Sequence, residues 1–199
     1  MTILFRNINP TKDAALTNLW RSDKRVQNNT RTFVNHSNQK QKEYLIRMNN
    51  STDFLHWIVA NNNIDFAYCM ALDYDPKLLR ISWGYWIGND SFFGMGALVS
   101  SIFYNFFFFN TKIKSIRAEV LSHNKSVLSM HQSMGYKLLE TIQIGTHKKK
   151  KAYEHILILE KKAWLSQPKS LIKLRGKFDF LSSEENLLNK LKLNGAKGL

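Results

Sequence analysis

The sequence predicts a mixed α/β fold of about seven strands and four helices, in the order β-α-α-β-β-β-α-β-α-β-β. Three observations predict it. Short apolar runs with a two-residue period are cut by Asn, Gly and Pro turns, which marks strands. Other stretches open on capping residues and carry their apolar side chains at helical spacing. One longer apolar run, directly behind Gly94-Met95-Gly96, reads as a buried helix crossing from one strand to the next.

The elements follow in order. Segment 2–8 alternates and is β-prone, and Asn9-Pro10 supplies a cap with proline at the first helical position. A helix through Leu16, Leu19 and Trp20 follows. After an Asn/Thr-rich loop, Ser37 caps a second helix containing Tyr44, Leu45 and Met48, which stops at Asn49-Asn50-Ser51. Runs 54–60, 64–72 and 79–87, separated by Asn61-Asn62-Asn63 and Asp75-Pro76, form an antiparallel meander. The chain then alternates: a helix over about 96–110, a strand 115–121, a helix 125–134 and strands near 136–144 and 152–160. Beyond Trp164 the composition shifts to Ser-Gln-Pro and scattered basic residues. There Ser182-Ser183-Glu184-Glu185 before Leu187, Leu188 and Leu191 suggests a short amphipathic helix.

Composition narrows the function. At 44% hydrophobic residues the chain can bury a core, so disorder is not expected. The N-terminus lacks the pattern of a secretory signal, which points to the cytoplasm. Cys69, the only cysteine, lies among apolar neighbours and reads as a buried thiol. The stretch 91–109 approaches the length of a membrane span, but Gly94, Gly96 and Asn105 interrupt it, so no span is expected. The net charge of +14 is concentrated late: residues 137–199 hold fourteen Lys or Arg against six Asp or Glu. Basic and aromatic residues are not interleaved along one stripe, which disfavours a nucleic-acid partner and leaves small polyanions as the ligands such a field attracts. The six histidines show no spacing with cysteines or carboxylates that would close a metal site, and no metal is expected.

The chemistry gathers around residues 85–136. Gly94-Met95-Gly96-Ala97 stands after a strand and before a helix, where free backbone N–H groups suit a pyrophosphate. Behind it come the strand Ile116-Arg117-Ala118-Glu119-Val120, then His123-Asn124, a helix, and Gly135-Tyr136. In this order and spacing the chain resembles the GNAT acetyltransferases. Leu19-Trp20-Arg21-Ser22, Gly84-Tyr85-Trp86-Ile87-Gly88 and Lys161-Lys162-Ala163-Trp164 are similar to elements of family members that acetylate UDP-linked 4-amino-4,6-dideoxy sugars in pseudaminic-acid synthesis.

The resemblance implies a GNAT domain over residues 1–165 with a basic extension over 166–199, and an N-acetyltransferase using acetyl-CoA as co-substrate. It implies that Gly94, Met95, Gly96, Ala97, Asn124 and the strand residues Tyr85, Trp86 and Ile87 hold the coenzyme. His131, seven residues after Asn124, would protonate the departing thiolate, and a histidine of ordinary pKa near 6.5 suits that role. Glu119 is the candidate base, acting through water. Trp20 and Arg21 are the candidate acceptor-binding residues, Arg21 by its fork of donors toward phosphate. Lys148-Lys149-Lys150-Lys151 makes a basic hairpin tip that would attract the same anions. The family's pattern departs at Ser91, at Ala163 and at Tyr153-Glu154-His155. These departures leave open a protein N-terminus, an amino acid or a small amine as acceptor, and beyond them a basic module without catalysis. Four consecutive phenylalanines, 106–109, cover more than one helix face and call for a second packing partner, within the chain or in a homodimer.

Overall fold

Capping and turn chemistry set the boundaries of the first half. The structure is a computed structural model that describes residues 2–32, 37–147, 150–180 and 191. Strand β1 (Ile3–Asn7) leads into α1 (Pro10–Ser22), whose cap Asn9 accepts from the backbone N–H groups of Thr11 and Lys12. Asp23 ends α1 and caps a five-residue helix, α2 (Lys24–Asn28), too short to leave a readable period in the sequence. Ser37 caps α3 (Asn38–Asn49) through Lys40 N–H. Then come β2 (Phe54–Asn61), β3 (Ile64–Asp75) and β4 (Arg80–Ile87). The tight turn between β2 and β3 is carried by Asn62 and Asn63, at φ 47° and 65°, conformations asparagine tolerates better than most residues.

The second half alternates as expected. A 3₁₀ turn (Asp90–Met95) enters α4 (Gly96–Asn110), followed by β5 (Ser115–Leu121), α5 (Lys125–Ser133), β6 (Lys137–His147) and β7 (Lys150–Glu160). Gly135, at φ +94°, makes the turn from α5 to β6 that a side chain would strain. Three short elements close the described chain: α6 (Lys161–Leu165), α7 (Lys169–Ile172) and β8 (Lys177–Phe178).

These strands form one sheet in the order β6-β7-β5-β4-β3-β2-β1-β8, antiparallel except for β4 with β5 and β1 with β8. Its two faces carry separate cores. One gathers Phe5, Trp57, Trp83 and Leu157 against α4 and α5; the other packs Ile58 and Tyr68 against Ala14 and Trp20 of α1 and Leu45 of α3. The stretch Asp90–Asn110 is long and apolar enough to cross a membrane by length and composition, yet residues 99–108 are all buried inside this fold.

The phenylalanine run of α4 finds its second partner within the chain. Phe106 stacks on Phe178 at 4.1 Å, and Phe178 stacks on Phe5 of β1 at 4.1 Å. Trp57 donates its indole N–H to the carbonyl of Asp179 at 2.9 Å. Asn105, the polar interruption in the apolar helix, is 1% exposed and fully engaged. Its Oδ1 accepts from Trp164 Nε1, and its Nδ2 donates to the carbonyls of Leu171 and Leu174. Residues 166–180 therefore dock on α4 and β1, and Leu191, fully buried, accepts from Lys112 N–H. The aromatic run thus carries no argument for a second subunit. The amphipathic segment expected from residue 182, apart from Leu191, and Lys148-Lys149 lie outside the described residues.

Candidate functional site

The site begins where two parallel strands part. β4 and β5 pair only from Arg80 opposite Ser115 to Trp83 opposite Ala118. Beyond that point residues 84–87 remain bonded to β3, while their edge toward β5 has no ladder partner. Backbone N–H and C=O groups left in this way need another partner, and a substrate can supply it. A cavity opens on each side of the fork.

The first cavity, about 540 Å³, runs between the start of α4 and the face of α5. Tyr85, Trp86 and Ile87 line it, with Gly94, Gly96 and Ala97 at its α4 end and Asn124 and His131 from α5. A Cβ built on Gly96 would stand 2.8 Å from the Tyr85 hydroxyl, so only glycine leaves this end of the cradle open; Gly94 meets no such neighbour. The α4 N-terminus, entered through the 3₁₀ turn, faces the same space, and the positive end of a helix suits phosphate oxygens. Arg25 latches α2 over this end, pairing with Asp90 at 2.5 Å and stacking over Phe93 at 4.5 Å.

The second cavity, about 580 Å³, shares Trp83 to Trp86 and Glu119 with the first but opens toward α1 and α3. Arg21, Tyr44, Tyr68 and Glu154 line it. Arg21 lies over the Trp86 ring at 4.9 Å and donates to Thr32 at 2.9 Å. Burial lowers the pKa of this guanidinium from its ordinary value, and among the described residues it forms no ion pair. Trp86 Nε1 is buried without a hydrogen-bond partner among the described residues. Opposite them, Arg31 joins the buried carboxylate of Glu154 to Glu119, which also pairs with Arg117 at 2.6 Å.

Two substrate-sized cavities meeting at unpaired backbone suit transfer of a group between two bound molecules, and the comparisons with known proteins agree. Residues 2–137 match the family model described as an acetyltransferase (GNAT) domain. The chain belongs to the GNAT acetyltransferases. It is an N-acetyltransferase whose co-substrate is acetyl-CoA. No curated protein matches it by sequence. Among solved structures it is similar to the Vibrio cholerae spermidine N-acetyltransferase in complex with CoA and spermine. That likeness has a TM-score of 0.73 at 9% identity and covers 83% of this chain and 99% of that one. It is also similar to an uncharacterized Bacillus halodurans protein, with a TM-score of 0.65 at 14% identity over 94% of this chain and 90% of that one. A third is a GNAT-family acetyltransferase from Streptococcus pneumoniae, at 0.59 and 14% over 79% of this chain and 98% of that one. At these identities the likeness is one of fold.

Within this acetyltransferase the sequence-derived candidates separate into groups. Ile87, Gly94, Gly96, Ala97, Asn124 and His131 line the first cavity, Arg21 the second, and Tyr85, Trp86 and Glu119 both. Trp20 and Met95 line neither. Trp20 is 4% exposed and packs where a Cβ on Gly88 would meet its ring at 2.1 Å, so it builds the core beside the second cavity without opening into it. Met95 packs into the main core. Asn124 caps α5 through Val127 N–H at 3.4 Å, and His123 holds the Asn28 carbonyl at 2.7 Å, tying α5 to the end of α2.

His131 differs most from the expectation. It is 2% exposed among Trp83, Tyr104 and Tyr136, with its Nδ1 3.4 Å from the Tyr104 hydroxyl. Burial pushes its pKa down to about 4, so at neutral pH the ring is uncharged and is not an imidazolium acid. Sequence reasoning used only the backbone of Tyr85 and missed its hydroxyl, whose pKa burial raises to about 12. It also missed Arg31, Tyr44 and Tyr68, and saw Glu154 only as a departure from the family's pattern. No motif marks them: they come from separate elements and meet only in the folded chain.

Proposed function

We propose that this N-acetyltransferase works in the cytoplasm on the amine of a small acceptor that also carries phosphate, of the nucleotide-linked amino-sugar class. The best fit is the 4-amino group of a UDP-linked 4-amino-4,6-dideoxy sugar. The observation that carries this reading is Arg21, a half-buried guanidinium in the acceptor cavity with no ion pair among the described residues. A buried cation of this kind is stabilised by an anion, and phosphate oxygens match its fork. Trp86 Nε1 offers a further donor beside it.

In this reading the acceptor amine approaches the thioester at the fork. Backbone N–H groups of residues 84–87 hold the charge that develops on the carbonyl oxygen. Glu119, at the junction of both cavities, takes the amine proton through water. Tyr85 gives a proton to the departing thiolate, since its phenol keeps one at neutral pH while the uncharged His131 ring contributes shape and a single N–H.

A second reading rests on Glu119 and Glu154, which line the acceptor cavity and suit a cationic polyamine. The similar Vibrio cholerae enzyme is a spermidine acetyltransferase bound to spermine. Here, however, Arg31 and Arg117 together already pair with both carboxylates.

The deciding experiment follows release of CoA thiol from acetyl-CoA, with UDP-linked 4-amino-4,6-dideoxy sugars and spermidine as competing acceptors. We expect the sugar nucleotide to be preferred. Tyr85→Phe should lower kcat by about 10²-fold, the usual weight of one general acid, and Asn124→Ala should raise the KM for acetyl-CoA. Preference for spermidine would establish the second reading, and a Tyr85→Phe enzyme as fast as His131→Ala would return the acid role to His131.

A further inference from the structure

Strand alternation decides what a thioester meets as it crosses from the first cavity to the second. Trp83 and Tyr85 lie on the face that holds α4 and α5, so Gly84 and Trp86 lie on the face that holds α1 and α3. Gly84 is also the first residue of β4 beyond its last pair with β5, and it lines both cavities. At the near end of the opened edge, β4 thus presents no side chain to the second cavity.

That space is filled from the neighbouring strand. Met70 of β3 stands directly opposite Gly84 in the ladder, on the same face, and lines the second cavity but not the first. A Cβ built on Gly84 would stand 2.8 Å from Met70 Cε and 3.8 Å from its Cγ. Among the described residues beyond its chain neighbours, it would meet nothing else within 4 Å. The terminal methyl of Met70 therefore takes the place a side chain on Gly84 would take.

The other walls of the opening are held from behind. Trp86 is stacked on Tyr68 at 4.2 Å, and the fully buried Tyr68 is hydrogen-bonded at 2.8 Å to His56 Nδ1, on a ring that is itself buried. Across the opening, Glu119 is gripped by Arg117 at 2.6 Å and by Arg31 at 3.2 Å. Met70 is only half-buried, and its unbranched thioether adapts easily to what lies against it. An acyl chain entering here is measured against fixed walls and one soft one.

We propose that Met70 is the specificity-determining residue for the acyl group: its terminal methyl, seated opposite Gly84, admits acetyl and obstructs longer straight chains. This rests on the shared edge of the two cavities being the place of transfer. In that step the acyl carbon exchanges its bond to the CoA sulfur for one to the amine nitrogen, the amine gives up a proton, and CoA leaves as the protonated thiol. Everything beyond the acyl carbon passes through unaltered. A longer chain must therefore be housed beside Gly84 throughout, in whatever room Met70 yields.

Acetyl-, propionyl- and butyryl-CoA are the probes. Release of CoA thiol is followed with the UDP-linked amino sugar or spermidine, whichever is turned over, and melting curves read acyl-CoA binding without any acceptor. Met70→Ala should raise kcat/KM for butyryl-CoA relative to acetyl-CoA by about 10- to 100-fold, the usual weight of a methylene or two in a closed pocket. Met70→Leu, close in volume, should keep the acetyl preference. Gly84→Ala tests the same contact without shortening Met70: the new methyl pushes the thioether into the opening and should lower kcat/KM for acetyl-CoA. Adding Met70→Ala should return most of that loss, because the two residues act on one space. In melting curves butyryl-CoA should protect the unsubstituted enzyme less than acetyl-CoA does, and should protect Met70→Ala about equally. An unchanged acyl preference in Met70→Ala, an equal gain for butyryl-CoA in Met70→Leu, or a Gly84→Ala loss that Met70→Ala does not relieve would overturn the role. Failure of the site itself reads differently, as an Asn124→Ala enzyme whose KM for acetyl-CoA has not moved. Absence of turnover with both acceptors would remove the acceptor reading alone, and the melting curves would then decide for or against Met70.

Discussion

The two cavities that meet at the fork are similar in size but built in opposite ways. The first, which we propose as the donor side, draws on one continuous stretch, from the end of β4 through α4 and β5 to α5, and most of its lining falls between residues 83 and 131. The second, the proposed acceptor side, is assembled from α1, the loop after α2, α3, β3, β4, β5 and β7. A ligand common to many enzymes can be met by a local motif of glycines, a helix N-terminus and a strand edge. A ligand particular to one enzyme is met by side chains that only tertiary packing brings together.

The largest expected effect breaks the donor side. Gly96→Val places a branched side chain where even a Cβ would stand 2.8 Å from the Tyr85 hydroxyl. It should lower kcat/KM for acetyl-CoA by about 10²-fold or more and abolish thermal protection by CoA, as judged from melting curves with and without ligand. Arg21→Met tests the acceptor side alone. It should raise the KM for a phosphate-bearing acceptor by about 10- to 100-fold, as for loss of a charge-assisted contact, and leave the KM for acetyl-CoA unchanged. If both KM values rise together, the two cavities do not act independently.

A third effect is shared by both sides and reads on stability alone. Each side rests on one buried neutral histidine, His131 with its pKa pushed down to about 4 and His56 to about 3. Unfolded, both bind a proton near pH 6.5, so the unfolded state holds more protons below that pH and stability falls as pH drops from 6.5 toward 4. Each histidine should remove about 2 kcal/mol by pH 5. Denaturant titrations at pH 7 and pH 5 should register the loss, and His131→Gln should return about half of it.

The same contrast explains what the sequence disclosed. Asn9, Ser37 and Asn124 announced their helices because capping is a local interaction, and the glycines at 94, 96 and 135 stood at turns for equally local reasons. The helix α2 and the pairing of β8 with β1 left no such trace, being short and held by distant partners. Trp20 carried a motif yet belongs to the core, because a large aromatic ring near an active site reads alike in sequence whether it supports the floor or touches the ligand. The charge state of His131 was also hidden: residue type gives an ordinary pKa, and only the surrounding Trp83, Tyr104 and Tyr136 remove the water that would stabilise the cation.

The parallel pairing of β1 with β8 carries a consequence in time. β1 is made long before the neighbour that covers its outer edge, residues 177–178, so the sheet keeps one flank open while all the strands between them are synthesised. Until then Phe5, Trp57 and Phe106 lack the aromatic cover that Phe178 brings. The nascent chain thus passes through an interval in which β1 is an adhesive edge, and the arrival of β8 with Phe178 ends it.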